Sequence, residues 1–369
     1  ADSISPQGHR ITSFILTYPR FIHSELMTHR VFSRNSASSR AIPFEKMVKM
    51  VEDDPFTPIA WQKHHSGMQG TEYIVEKDDI QQCTQVWLKA RDYAIKQATS
   101  LGNAEGFTKV TKQLCNRLLE PFMWHTVLLT GTEFENFFEL RCPKYTVNWY
   151  PSCRPEALEP TQASFKSRKD AINYTEGECN NWKEQDWRDS NESQAEIHIQ
   201  ALAEAMWDAM NENTPKELKE GEYHIPFGDK ISDGELRDYF YNVENNPDPS
   251  FTAYQEAKLK ISTARCARLS YMNFDGEIDY EKDIKLHDQL LESRHLSCFE
   301  HCARAMSDKE YYSFIKGEIP IIVQNNGEIV NRELYPQSYS KNLGTNFYGW
   351  CNNYKGFIQY RYLIENNYK

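Results

Sequence analysis

Residues 9–40 read HRITSFILTYPRFIHSELMTHRVFSRNSASSR, and this stretch decides how the rest of the chain is read. Its first ten residues, HRITSFILTY, are rich in β-branched and aromatic side chains and predict a strand. Pro19 has a fixed φ and no N–H, so it suits the first turn of a helix, PRFIHSELMTHR, with Phe21, Ile22, Leu26 and Met27 apolar. Residues 33–40 are too rich in Ser and Asn to continue that helix, because such side chains compete for backbone hydrogen bonds.

Working outward, a helix resumes over residues 44–51, and the clearest helix spans about residues 78–101. There Ile80, Cys83, Trp87, Ala90, Ala94, Ala98 and Leu101 fall three or four apart and predict one buried stripe. Val110, Leu114 and Leu118 repeat the spacing. Residues 124–129 read as a short apolar strand or a buried connector, and a short helix at 133–140 should bury Phe134, Phe137 and Phe138. Residues 143–192 change character and read as an insertion, longer than loops usually run without structure of their own. Helical spacing returns at Ile199, Leu202, Met206 and Met210, and again over residues 251–269 and 280–294. The expected fold class is α+β, a helix-rich single domain with a small, mostly antiparallel sheet.

Length alone suggests two domains, but no Pro/Gly/Ser-rich linker divides the 369 residues, which favours one domain with insertions. No apolar run approaches a membrane span, no secretory leader is evident, and nine scattered cysteines suit reduced thiols, so a cytoplasmic protein is expected. The net charge of −11 argues against a nucleic-acid polymer as partner. The first 50 residues nevertheless carry seven Lys/Arg against three acids. That local balance fits a small anionic ligand as well as a solvated helix face.

Residues 28–40, THRVFSRNSASSR, hold three arginines, four serines and an asparagine. Guanidinium forks, hydroxyls and loop amides are the donors a phosphate needs, although a polar surface loop has the same composition. His295, Cys298, His301 and Cys302 fall within eight residues and allow a zinc reading, but the spacing matches no common zinc finger, and packing is the alternative.

The pattern His29-Arg30, Ser33, Asn35, Ser38 and Arg40 resembles the H-R-x-x-S-x-N-E-x-S-x-R motif of the flavin-dependent thymidylate synthases. The resemblance implies that His29 and Arg30 lie against a flavin, while Ser38 and Arg40 hold a nucleotide, with Glu25, Ser36 and Ser39 beside them as substrate-site candidates. Arg34 adds charge that the motif does not specify. The chain departs from the motif where Ser36 replaces the Glu, Ser39 the Gly before the last Arg, and Thr28 the Arg before His-Arg. Residues 133–141, EFENFFELR, resemble the family's R-S-L-M-N-F-L-N-L-R helix, which implies Asn136 for flavin and Arg141 for the pyrimidine, with Arg117 for phosphate. Residues 194–203, QAEIHIQALA, resemble its H-A-Q-x-E-I segment and put Gln194 at a flavin-contacting position.

A third match is out of order. Residues 262–271, STARCARLSY, and 295–301, HLSCFEH, resemble segments that precede the His-Arg motif in most members. A circular permutation accounts for that, with the displaced part at about residues 255–301 and a C-terminal extension at 302–369. Ser297 and Glu300 then join the flavin candidates, with Ser270 a further one.

The family implies FAD, methylenetetrahydrofolate and NADPH as cofactors, a pyrimidine deoxynucleotide monophosphate as substrate and a homotetramer. The expected reaction is C5 methylation of dUMP to dTMP, with Arg141, Arg40 and Ser38 as the catalytic set. Completion by water instead of hydride would make a 5-hydroxymethyl nucleotide from dUMP or dCMP, and the Ser36 departure permits it. A non-catalytic flavin- or nucleotide-binding protein, or one stabilised by zinc, is the reading of another class. No Pro-Cys-His occurs, so a covalent Cys nucleophile is not expected, although Cys142 beside Arg141 allows a lowered pKa.

Overall fold

A computed structural model of the protein describes residues 1–67, 70, 72–103, 108–149, 161–178, 191–270, 279–315 and 348–367. Four of the first elements build the centre: β1 (Asp2–Ile4), β2 (Arg10–Pro19), α1 (His23–Met27) and β3 (Ser33–Ser36). Three helices follow, α2 (Phe44–Asp53), α3 (Lys77–Gly102) and α4 (Lys112–Arg117), before β4 (Trp124–Gly131) and α5 (Glu135–Arg141). A hairpin of β5 (Tyr145–Trp149) and β6 (Thr161–Phe165) then leads through α6 (Arg168–Glu178) to α7 (Ile197–Glu212). Two short strands, β7 (Lys216–Glu217) and β8 (Tyr223–His224), precede α8 (Asp233–Asn242), α9 (Phe251–Ser270) and α10 (Tyr280–Glu292). The architecture is α+β.

The main sheet has five strands in the order β3-β4-β2-β1-β7, antiparallel except where β7 lies parallel to β1. Cross-strand partners share a face. Phe14 pairs with Leu129, Leu16 with Val127 and Tyr18 with His125, and Arg34 of β3 also faces Leu129. This face packs on α1, α5 and α7 through Leu26, Phe134, Phe137, Phe138, Ile199 and Met206. On the other face Leu128 packs against Cys266 and Leu269 of α9 and against Leu296 and Phe299.

That second face also holds a buried polar chain. The Ser13 hydroxyl lies 2.8 Å from His224 Nε2 and 2.6 Å from the Thr130 hydroxyl, which in turn lies 2.8 Å from His301 Nδ1. Buried polar groups of this kind persist by satisfying one another, and here only His301 Nε2 is left without a partner among the described residues.

Several expectations need correction. The polar stretch after α1 is not loop throughout, since residues 33–36 form β3, an edge strand held by β4. The first helix is shorter than its apolar pattern: a 3-10 turn over Arg20–Ile22 leads into α1, which ends at Met27. Helix α3 spans the expected residues, but within this chain only Ala98 of its stripe is buried and Ala90 is exposed. Leu114 and Leu118 likewise face solvent. The described part of residues 143–192, too long for a bare loop, needs no such correction: it has structure of its own, β5, β6 and α6.

Candidate functional site

Helix α5 is only seven residues long, so packing holds it more than propensity does. Phe134, Phe137 and Phe138 anchor it in the core, and Arg141 is its last residue. Opposite stands His29, whose backbone N–H closes a turn on the Leu26 carbonyl just after α1. Arg141 Nε donates to His29 Nε2 at 3.2 Å. A guanidinium has no acceptor, so this geometry fixes the imidazole neutral, with its proton on Nδ1. Burial lowers the His29 pKa, and the charges of Arg141 and Arg34 lower it further. The ring stands edge-on to Phe137, with centroids 4.9 Å apart.

On its other side Arg141 Nη1 lies 3.7 Å from Glu25. Burial raises the Glu25 pKa, Glu196 adds to the rise, and Arg141 opposes it. Glu196 caps α7 by accepting from the His198 and Ile199 N–H groups. Arg141 also lines a cavity of about 670 Å³ with Gln194, Lys144, Lys166, Ser164 and Cys142, so residues 143–192 supply one wall of it. A cavity of that size takes a small ligand. A larger one, about 790 Å³, opens between β1, β8 and α9, and none of the residues nominated from sequence line it.

A second group sits where β2 ends and β4 begins. Arg20 Nη1 donates to His125 Nε2 at 3.0 Å, so His125 too is neutral and carries its proton on Nδ1, a buried atom with no partner among the described residues. Burial, then Arg20 and His23, hold the His125 pKa down at about 3. His23 Nδ1 pairs with the Tyr18 hydroxyl at 2.7 Å, and burial, then Arg20 and Arg34, bring its pKa to about 4. Glu120 serves this group from below: Arg20 lies 3.8 Å away, Arg117 3.7 Å, and the Ser39 hydroxyl donates to it at 2.7 Å. Fully buried Asn116 holds the same loop by donating to the carbonyls of Ser39 and Ile42.

Strand β3 joins these groups to the out-of-order segments. Asn35 Nδ2 donates to the Cys266 carbonyl in α9 at 2.7 Å, joining the segment around His29 to STARCARLSY. Glu300 of HLSCFEH is close enough to act on Arg34, although its own ion pair, at 2.8 Å, is with Arg361.

The nominated residues therefore divide. Glu25, His29 and Arg141 meet, and Ser39 and Arg117 meet at Glu120. Ser36 and Ser38 are half-buried, and the Ser38 carbonyl accepts from the Ala41 N–H. Arg30, Arg40, Asn136, Gln194 and Ser297 face solvent, and of these only Gln194 lines one of the cavities formed by the described residues. The Ser270 side chain lies outside the described residues. Cys142 is not activated: burial pushes its thiol up to about 12. His295 is exposed and bonds to Ser293, and no group of three potential ligands among the described residues is placed to hold a metal. Arg20, His23, Glu120 and His125 went unread in the sequence. The only signal for them is strand register, which sets His125 opposite Tyr18.

The fold and the two groups define an α+β protein with clustered arginines and neutral histidines beside the edge strand β3 of its sheet. No family model matches the sequence, and no curated protein matches it. Among solved structures the chain is similar to two of the UMP/dUMP methylase PolB from Streptomyces cacaoi, one bound with 5-Br UMP and one with 5-Br dUMP. They are 18% and 16% identical to it, with TM-scores of 0.35 and 0.32. The alignments cover 55% of this chain and 70% and 67% of those chains. No helix among the described residues is long and apolar enough to cross a membrane.

Proposed function

We propose that this protein alkylates C5 of a pyrimidine deoxynucleotide monophosphate, using FAD and methylenetetrahydrofolate, with NADPH as reductant. The observation that carries the proposal is the contact between Arg141 and His29, which brings together two of the segments that resemble the flavin-dependent thymidylate synthases. Arg141 is clamped by His29 and Glu25, so its remaining donors are oriented before a ligand arrives. A fixed guanidinium at the edge of a pyrimidine stabilises the negative charge that grows on the ring when C5 acts as nucleophile. The neutral His29 ring adds no competing positive charge and suits a flat cofactor surface.

FAD, when bound and reduced, would supply the hydride that completes a methyl group. Arg30, Asn136 and Ser297 keep open polar side chains, as a dinucleotide requires, but they lie on the surface of one chain. A flavin held by them therefore calls for several subunits. Exposed Val86, Ala90 and Tyr93 on α3, with Leu114 on α4 and Leu118 just after it, support self-association, and a homotetramer is the assembly proposed. Buried Cys142, with its raised pKa, supports a route without a thiolate nucleophile.

dUMP converted to dTMP is the first reading. Ser36 favours keeping dCMP, and a hydroxymethyl product, beside it, because a hydroxyl both donates and accepts and so suits the edge of either base. Mass spectrometry of dUMP and dCMP, incubated separately with the protein, FAD, NADPH and methylenetetrahydrofolate, tests the proposal. One nucleotide should gain the mass of a CH2 or CH2O unit. Folded, flavin-loaded protein that alters neither nucleotide would overturn it.

A further inference from the structure

Among the described residues, Arg34 is a half-buried guanidinium without a counter-ion. It lies on β3, and its Nη1 donates to the backbone carbonyls of Met27 at 3.2 Å and His29 at 3.4 Å. No carboxylate lies within 4 Å of it among the described residues. The acid whose charge reaches it, Glu300, is engaged elsewhere by Arg361. The aromatic groups that feel its charge are neutral ones, Tyr18, His23 and His29. Half-burying a cation without an opposite charge is costly, and a site that keeps one in that state is set to receive an anion. Among the described residues Nε and Nη2 have no protein partner, and they remain as parallel donors, the fork that matches two oxygens of a phosphate.

We propose that Arg34 is a phosphate-binding residue of this protein and takes two oxygens of either a nucleotide monophosphate or the diphosphate of a dinucleotide cofactor. The inference deepens the nucleotide reading above, but its test also stands without it. Burial already lowers the Arg34 pKa, as an uncompensated cation requires. A bound phosphate would remove that imbalance.

The test is a set of calorimetric titrations of wild type, Arg34→Gln and Arg34→Lys with inorganic phosphate, dUMP, deoxyuridine and FAD. Arg34→Gln should weaken phosphate, and either dUMP or FAD, by about ten- to a hundredfold, the usual loss for a charged hydrogen-bonded contact. Deoxyuridine, which lacks phosphate, should bind as before. Loss confined to dUMP assigns the anion to the substrate, and loss confined to FAD assigns it to the cofactor. Phosphate bound by wild type and lost in the variant upholds the inference even if no nucleotide is alkylated. Equal weakening of dUMP and deoxyuridine, undiminished phosphate binding, or a wild type that binds no phosphate-bearing ligand overturns it. Should Arg34→Gln not fold, Arg34→Lys decides by the same comparison, because it keeps the charge and loses the fork.

Discussion

Arg141 and His29 are 112 residues apart in sequence, yet Arg141 Nε donates to His29 Nε2 across 3.2 Å. The contact sets the tautomer of one residue and the direction of the other. It also ties the end of α5 to the turn that follows α1, so that both residues move with the core beneath them.

Replacing Arg141 by Lys keeps the charge but removes the planar fork and the Nε donor. Turnover should fall by about ten- to a hundredfold, with FAD still bound. Arg40→Lys should mainly weaken nucleotide binding, because Arg40 stands on the exposed rim. Steady-state kinetics and dUMP titrations of both variants check this. Wild-type turnover and affinity in both would misplace the substrate site.

The His29 imidazole should remain neutral well below its ordinary range. Burial is the first cause and the two arginines the next, so Arg141→Met should raise the His29 pKa only part of the way back. Proton NMR titration of the ring reads this directly. A His29 that titrates at its ordinary value in wild type would contradict the geometry.

Four histidines make stability depend on pH. Burial brings His23 to about 4 and His125, His224 and His301 to about 3. In the unfolded chain each binds a proton near its ordinary value of about 6.5. Below that pH the unfolded state holds more protons, so the stability present above it is lost as pH falls toward 4. The urea midpoint should drop between pH 7 and pH 5, and a midpoint that rises would reverse the sign.

Much of the fold was legible because it is local. Strand β2 and helices α7, α9 and α10 lie within a few residues of where apolar spacing puts them. β3 was not, because its polar residues are satisfied from far away: Ser33 accepts from Asn353 and Gln359, and Asn35 donates to Cys266. The α3 stripe was over-read for a related reason, since periodicity marks an apolar face without saying what covers it. In the candidate site, the family resemblance nominated Glu25, His29, Ser39, Arg117 and Arg141, and the fold brings these into two groups. The Arg20 to His125 contact depends on the register of two strands more than 100 residues apart, which no local pattern encodes.

Phe137 links stability to the site. It is buried against the His29 and Phe32 rings, so Phe137→Ala should cost about 3–5 kcal/mol, the usual range for a core phenylalanine. It should also release His29, and hence lower turnover in the molecules that remain folded. Denaturant unfolding with parallel kinetics tests both effects. A variant as stable and as active as wild type would remove α5 from its anchoring role.

If the apolar faces of α3 and α4 are where subunits meet, charging them should dissolve the assembly. Val86→Glu with Tyr93→Glu should shift the mass seen by light scattering from tetramer to smaller species and weaken FAD binding together. A wild type that is monomeric while fully active would rule out a composite flavin site.

The central claim is chemistry at C5, and hydrogen release reads it most directly. Deoxyuridylate and deoxycytidylate labelled with tritium at position 5 should be incubated with the protein, FAD and NADPH, with and without methylenetetrahydrofolate. The expected result is release of tritium to water from one of the two, dependent on folate, and abolished or strongly reduced in Arg141→Lys. Folded protein that releases no tritium from either nucleotide, with folate and flavin present, would contradict the account.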